Sequence, residues 1–267
     1  MLDKLTGDDR VLILSPHLDD AVLSAGGLMD RAVKDGAHVV AATIFTGDAD
    51  LQGEPSPLVR ELHEWWGLGA NPYAVRREED IASIALLGAD YFHGGMTDSI
   101  YRRDRDGISL YATREAVFSP PSDQDPAWRP LEDLLAEWLA TVRPTIVLCP
   151  MAVGRHLDHV VTTETFRKCS AAWNADIYLY EDIPYAAGFF PPGYPDSVPA
   201  ALERTNWTVR DHVDIDIDFE RKLAAILKYE SQIAEIFPGL DAERELRNYM
   251  RDASGTGFRE RFWRAES

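Results

Sequence analysis

Val11-Leu12-Ile13-Leu14-Ser15-Pro16-His17-Leu18-Asp19-Asp20 carries the signals from which the rest of this 267-residue chain can be placed. The run Val11 to Leu14 has the composition of a buried strand, and it leads out into a histidine and two adjacent carboxylates. Behind them Val22, Ala25, Leu28, Met29, Ala32 and Val33 recur at the spacing of an amphipathic helix. In a parallel sheet, ligands bind at the carboxyl ends of the strands. A His and two Asp at such an end are badly placed for a core and well placed for a metal.

Outward from that stretch, strand and helix patterns alternate. The helix is expected over 21–34 and closes at Asp35-Gly36, Gly being the usual residue past a helix end. A strand is expected over 38–45, apolar enough to be buried on both faces. After a Gly- and Pro-bearing loop at 49–57, helices are predicted over 58–66 and 72–87, the second stopped by Gly88. Strand 90–93 follows, then a long irregular stretch over 94–129 that reads as part of a pocket wall. Helix 130–142, strand 145–149, helix 157–171 and strand 176–180 complete the alternating part. Residues 181–200, rich in Pro, Gly and aromatics, read as a second lid or a subunit contact. A half-buried strand over 207–217, one helix over 219–236, another over 242–252 and a last strand over 258–263 end the chain.

Such alternation implies right-handed crossovers and a parallel α/β sheet, in one domain covering 1–267. The first and fourth strands are then neighbours, and the chain reverses direction between them. Gly154-Arg155-His156-Leu157-Asp158-His159 leaves the fourth strand, so the fold brings it to the same crevice as His17, Asp19 and Asp20.

Composition limits the function classes. A net charge of −18 argues against a nucleic-acid partner and an anionic membrane surface, though not against any particular small substrate. Cys149 and Cys169 have no CxxC spacing, which suits reduced thiols in a cytoplasmic protein. Residues 1–10 lack the apolar segment of a secretory leader, and no apolar stretch approaches the ~18–20 residues of a membrane span.

Catalytic zinc has three protein ligands from His, Asp, Glu or Cys and leaves one position for water. His17, Asp20 and His159 can supply such a set. Asp19 and His156 remain beside it. Amide hydrolysis needs a carboxylate to move a proton from water to the leaving amine, which fits Asp19. It also needs a donor for the oxyanion, which fits His156. Taken singly, Asp19-Asp20 is an N-cap and His156/His159 an exposed helix start; their convergence at neighbouring strand ends is what points to chemistry.

SPHLDD before a helix and GRHLDHV after the fourth strand resemble the motifs of the PIG-L/LmbE-like deacetylases. The resemblance covers roughly the first 180 residues, with Leu18 where the family's usual motif has Pro. It implies a Rossmann-like three-layer sandwich with a mostly parallel sheet and C-terminal strand and helix additions. It also implies a zinc-dependent hydrolase that removes an acyl group, usually acetyl, from an amino sugar or glycoside. Fe²⁺ or another divalent ion is an alternative metal. By the same match His17, Asp20 and His159 are the metal ligands, Asp19 the base and His156 the carbonyl-polarising group. Asp158 then tunes His156 or orients a ligand. Asp48, Arg76 or Arg77, and Asp98 correspond to substrate contacts. The competing readings are an amidase of the same fold acting on a non-sugar or thiol-conjugate amide, a non-catalytic scaffold, and a nucleotide-binding module. The last is disfavoured because no G-x-G-x-x-G follows the first strand. His93, at a strand end, is the one further histidine near the crevice, and Tyr101, Tyr111, Phe118, Tyr185, Phe189 and Phe190 are the candidate pocket aromatics. The tryptophans are too scattered to read as a sugar platform.

Overall fold

The computed structural model describes residues 2–49, 54–69, 71–188, 190–191 and 196–266. Its strands are β1 (Arg10–Ser15), β2 (His38–Thr43), β3 (Asp90–His93), β4 (Ile146–Pro150), β5 (Asp176–Tyr180), β6 (Thr208–Asp216) and β7 (Arg259–Glu266). Its helices are α1 (Asp20–Lys34), α2 (Pro57–Trp66), α3 (Pro72–Leu87), α4 (Arg114–Val117), α5 (Trp128–Val142), α6 (Leu157–Cys169), α7 (Val198–Arg204), α8 (Phe219–Ile226), α9 (Glu230–Ile236) and α10 (Ala242–Met250).

The strands join in one sheet in the order β3-β2-β1-β4-β5-β7-β6. The pairings from β3 through β5 are parallel, and β7 runs antiparallel to both β5 and β6. Leu12 is in register with Val40 on one side and Val147 on the other, so β1 and β4 are neighbours as the crossover rules require.

Strand periodicity sends alternate side chains to opposite faces. Leu12, Leu14, Val40, Ala42, Val147 and Cys149 form one apolar core, into which α5 contributes Leu131 and Leu135. Val11, Ile13, Val39, Ala41 and Leu148 form the other, with Leu28 and Met29 of α1. Burial of each large aliphatic side chain contributes about 1.5–3 kcal/mol. Two such cores fix the sheet as the middle of three layers.

The differences from the sequence expectations lie mostly in the C-terminal half. The helix expected over 219–236 is two, α8 and α9. The break has a tertiary cause. Tyr229 turns inward to donate to Asp80 Oδ1 at 2.7 Å. The start of α9 is held by Glu79, which accepts from Ser231 N at 2.8 Å and Ser231 Oγ at 2.6 Å. Within 181–200, α7 starts at a Ser197 cap that accepts from Ala200 N, with Pro in its first turn. Phe189 and residues 192–195 of that segment lie outside the described residues, as do 50–53 of the loop before α2. The stretch 94–129 contains α4 and a short 3₁₀ turn, Ser99–Tyr101. Both bring residues to the crevice. Among the described residues no helix is long and apolar enough to cross a membrane.

Candidate active site

The turn between β1 and α1 is tied down by its own residues. Ser15 Oγ donates to the His17 carbonyl at 2.7 Å and accepts from Ala21 N at 3.0 Å. His17 N donates to Asp20 Oδ2 at 2.8 Å. Leu18 has no exposed surface and pins the turn into the core. Asp19, squeezed between these constraints, has φ 156°, a conformation that costs a non-glycine residue of order 1–3 kcal/mol. Strain of this kind persists only where its surroundings over-determine it.

Asp20 Oδ2 lies 3.2 Å from His17 Nδ1 and 3.2 Å from His159 Nε2. His159 has no exposed surface, and its Nε2 is a buried polar atom without a hydrogen-bond partner. A buried orphan of this kind calls for an explanation, an ion among them. Ring nitrogens of His17, His156 and His159 also lie within 4.8 Å of one another. Burial opposes a charged His159 ring, yet Asp20 and Asp182 raise its pKa to about 9. Anionic groups therefore converge where cationic charge is wanted. Two imidazole nitrogens and a carboxylate oxygen around one point are a donor set that fits a divalent cation.

Each of the two imidazoles is oriented from behind by a carboxylate. Asp158 Oδ2 stands 3.1 Å from His17 Nε2, accepts from Ser99 N at 3.1 Å, and its carboxylate pairs with buried Arg102. Asp182 Oδ1 stands 2.7 Å from His159 Nδ1, and its Oδ2 accepts from Val153 N at 2.9 Å. Carboxylates in this position fix ring orientation and raise ligand basicity.

His156 caps α6: its Nδ1 accepts from Asp158 N at 3.3 Å. Burial, reinforced by His17 and His159, pushes its pKa well below the usual range, so the ring is neutral. With Nδ1 accepting, the ring's proton is on Nε2, which makes His156 a neutral donor. Asp19 is 7% exposed, and burial together with the Asp20 charge pushes its pKa up to about 8. Arg76, itself 5% exposed, holds a guanidinium nitrogen 3.8 Å from Asp19 Oδ2 and lies over the rings of Tyr73 and Trp66. Asp98 accepts from Tyr73 Oη at 2.5 Å and faces His17 Nε2 at 3.7 Å.

A cavity of about 120 Å³ opens over this cluster. Its polar floor includes Asp19, Asp20, Asp98 and His156; Leu62, Trp66, Val117, Phe118, Tyr185 and Ile236 form apolar walls.

A family profile described as "GlcNAc-PI de-N-acetylase" (PIG-L) matches residues 12–170. The chain is 32% identical over 230 residues to a 2'-N-acetylparomamine deacetylase of Streptomyces fradiae, an alignment covering 84% of this chain and 73% of that protein. The chain belongs to the PIG-L family. Among solved structures, this PIG-L chain resembles the zinc-inhibited form of teicoplanin deacetylase Orf2 with TM-score 0.81 at 30% identity, over 96% of this chain and 98% of that one. It resembles the A40926 pseudoaglycone deacetylase Dbv21 with TM-score 0.75, also at 30% identity, over 97% of each chain. All of these relatives are deacetylases, and one of them is named for its inhibition by zinc.

Within the PIG-L chain the residues singled out by sequence divide into groups. His17, Asp19, Asp20, Arg76, Asp98 and His156 line the cavity. His159 and Asp158 are sealed behind it. The Asp158 carboxylate turns to His17 and Arg102, and only the Asp158 backbone N–H meets His156. Arg77 and Asp48 are not part of the cavity lining. They pair with each other at 2.7 Å, the Asp48 side chain being 65% exposed, because adjacent positions on a helix point different ways. His93 is engaged by Asp80 at 2.8 Å. Of the candidate aromatics, Phe118, Tyr185 and Phe190 line the cavity, and so does Trp66.

Sequence reasoning missed Asp182, Arg102, Gln232 and Glu235. Asp182 lies just past β5, the strand-end position that revealed His17, so the same rule could have found it. Glu235 and Gln232 reach the cavity from α9, where Trp66 Nε1 donates to Glu235; no local pattern marks them.

Proposed function

We propose that this chain is a metal-dependent hydrolase that removes an acyl group, acetyl first of all, from the amide nitrogen of a small amino sugar or glycoside. The observation that carries the reading is Asp20 Oδ2 at 3.2 Å from both His17 Nδ1 and His159 Nε2, with Asp19 and His156 beside it. His17, Asp20 and His159 would hold zinc, or another divalent ion such as Fe²⁺. When bound, such an ion supplies Lewis acidity, which polarises a carbonyl and acidifies water. Asp19 takes the proton of the attacking water and delivers it to the departing amine. The raised pKa of Asp19 suits a group that must both accept and return a proton near neutrality. His156 donates from Nε2 to the carbonyl oxygen as it becomes an oxyanion. Arg76 and Asp98 offer a guanidinium and a carboxylate to sugar hydroxyls. The reading takes the whole of 1–267 as one catalytic unit, in keeping with the Gln232 and Glu235 side chains that α9 adds to the cavity.

The test is metal content of the purified protein beside His159→Ala, with acetate release from a panel of N-acetylamino sugars on the same samples. One divalent ion per chain, lost in the variant together with acetate release, is the expected result. Metal without release from any amino sugar would move the substrate to non-sugar amides. No metal binding in either protein would overturn the reading.

A further inference from the structure

Phe118 caps the C-terminal end of α4, and its ring faces two spaces. On one side it lines the catalytic cavity, where it meets the His156 ring edge-on at a centroid distance of 5.6 Å and the Tyr185 ring at 6.3 Å. On the other it lines a separate groove of about 300 Å³, whose apolar lining includes Pro120, Pro121, Met151 and Val160 and whose polar lining includes Arg155, Glu164 and Arg204. That volume is at the lower bound for a ligand pocket. Phe118 is the residue common to both linings and is 8% exposed. Tyr185 backs the partition: its ring packs so closely on Gly154 that a Cβ there would collide with it. It is also 5.4 Å, centroid to centroid, from His159.

The chemistry orients the substrate with respect to this ring. This step rests on the hydrolase reading above. The carbonyl oxygen is directed at His156, while the attacking water and the departing nitrogen are both served by Asp19. Asp19 neighbours Arg76, which lies over Trp66, and Trp66 in turn donates to Glu235, so the amine portion extends to that side. The fourth substituent of the tetrahedral carbon, the acyl carbon chain, is left on the His156 side, against Phe118.

We propose that Phe118 is the residue that sets acyl length. Its ring ends the acyl subsite beyond a short group, and the groove behind it is the space a fatty acyl chain enters once the ring is removed. Discrimination by a filled apolar subsite is of the order of 10–200-fold for a single methylene. A partition removed altogether acts on several.

The experiment compares kcat/KM of the zinc-loaded enzyme for N-acetyl and N-octanoyl forms of the same amino sugars, glucosamine and paromamine, in wild type, Phe118→Ala, Phe118→Leu and Phe118→Trp. The ratio of the two constants on one sample is independent of the folded fraction, so partial misfolding of the Ala variant does not disturb it. Wild type and Phe118→Trp are expected to prefer acetyl. The octanoyl-to-acetyl ratio is expected to rise about 10²-fold in Phe118→Ala and by less in Phe118→Leu. A ratio unchanged within about threefold in both smaller variants, or a wild type that prefers octanoyl, would overturn the proposal while leaving the hydrolase reading intact. Failure of every variant and the wild type to hydrolyse either acyl form would overturn this inference and, with metal bound, move the substrate of the hydrolase to non-sugar amides.

Discussion

Asp182 Oδ1 stands 2.7 Å from His159 Nδ1, and both side chains are sealed from solvent. The contact leaves Nε2 as the free nitrogen of His159 and aims it at the point that Asp20 Oδ2 also faces. Replacing Asp182 by Ala removes the acceptor without touching a proposed ligand. Loss of such an outer partner typically costs 10–100-fold in metal affinity. Competition against a chromophoric chelator should show zinc bound about 10–100-fold more weakly by Asp182→Ala, with the far-UV spectrum preserved. Unchanged affinity would leave Asp182 with only its bond to Val153 N.

Asp19 and Asp20 are adjacent in sequence and opposite in role. Asp20 faces both imidazoles, whereas Asp19 faces Arg76. Asp19→Ala is therefore expected to keep its metal and to lose about 10²–10⁴-fold in kcat. Elemental analysis and turnover on the same preparation decide the matter. A metal-free Asp19→Ala would make Asp19 a ligand and leave the proton-transfer role vacant.

His156 is the third ring of the histidine cluster and could be read as a ligand by proximity alone. Its Nδ1 is occupied by the α6 cap, and its Nε2–H is a donor in the neutral ring. As an oxyanion donor its loss in His156→Ala should lower kcat by about 10²–10³-fold with metal retained and KM little changed. Loss of the metal along with activity would instead place His156 among the ligands.

The parallel half of the fold was legible because its signals are local. Apolar strands such as Val11–Leu14, and caps such as Gly88 (φ 78°), depend on nearby residues. The β1/β4 crevice followed from chain-crossover rules, and with it the meeting of His17, Asp20 and His159. What was not legible depends on distant partners. Glu79 of α3 holds the start of α9 across 152 residues of sequence, and no periodicity in 219–236 announces the break. β7 inserts between β5 and β6, a choice made by edge pairing rather than by its own residues. Arg76 and Arg77 look alike in sequence, yet helix phase buries one beside Asp19 and turns the other to Asp48.

The C-terminal part is fastened to the catalytic part by a buried pair whose strength can be measured. Lys222 of α8 and Glu260 of β7 are paired at 2.5 Å with essentially no exposed side-chain surface. Glu260 also accepts from Gly27 N and Leu28 N of α1, each at 2.8 Å. Lys222→Met removes the cation and leaves the carboxylate buried, a change that costs about 3–5 kcal/mol. A buried pair can often be replaced by apolar residues at little cost, but here the carboxylate has a second duty. In Lys222→Met/Glu260→Leu the α1 amides lose their acceptor, and each unsatisfied donor costs about 1–3 kcal/mol. The double variant is therefore expected to remain well below wild type in urea unfolding. Recovery of wild-type stability would mean that the Glu260 contacts to α1 contribute nothing, and that the pair is an isolated charge couple rather than the clamp between α1, α8 and β7.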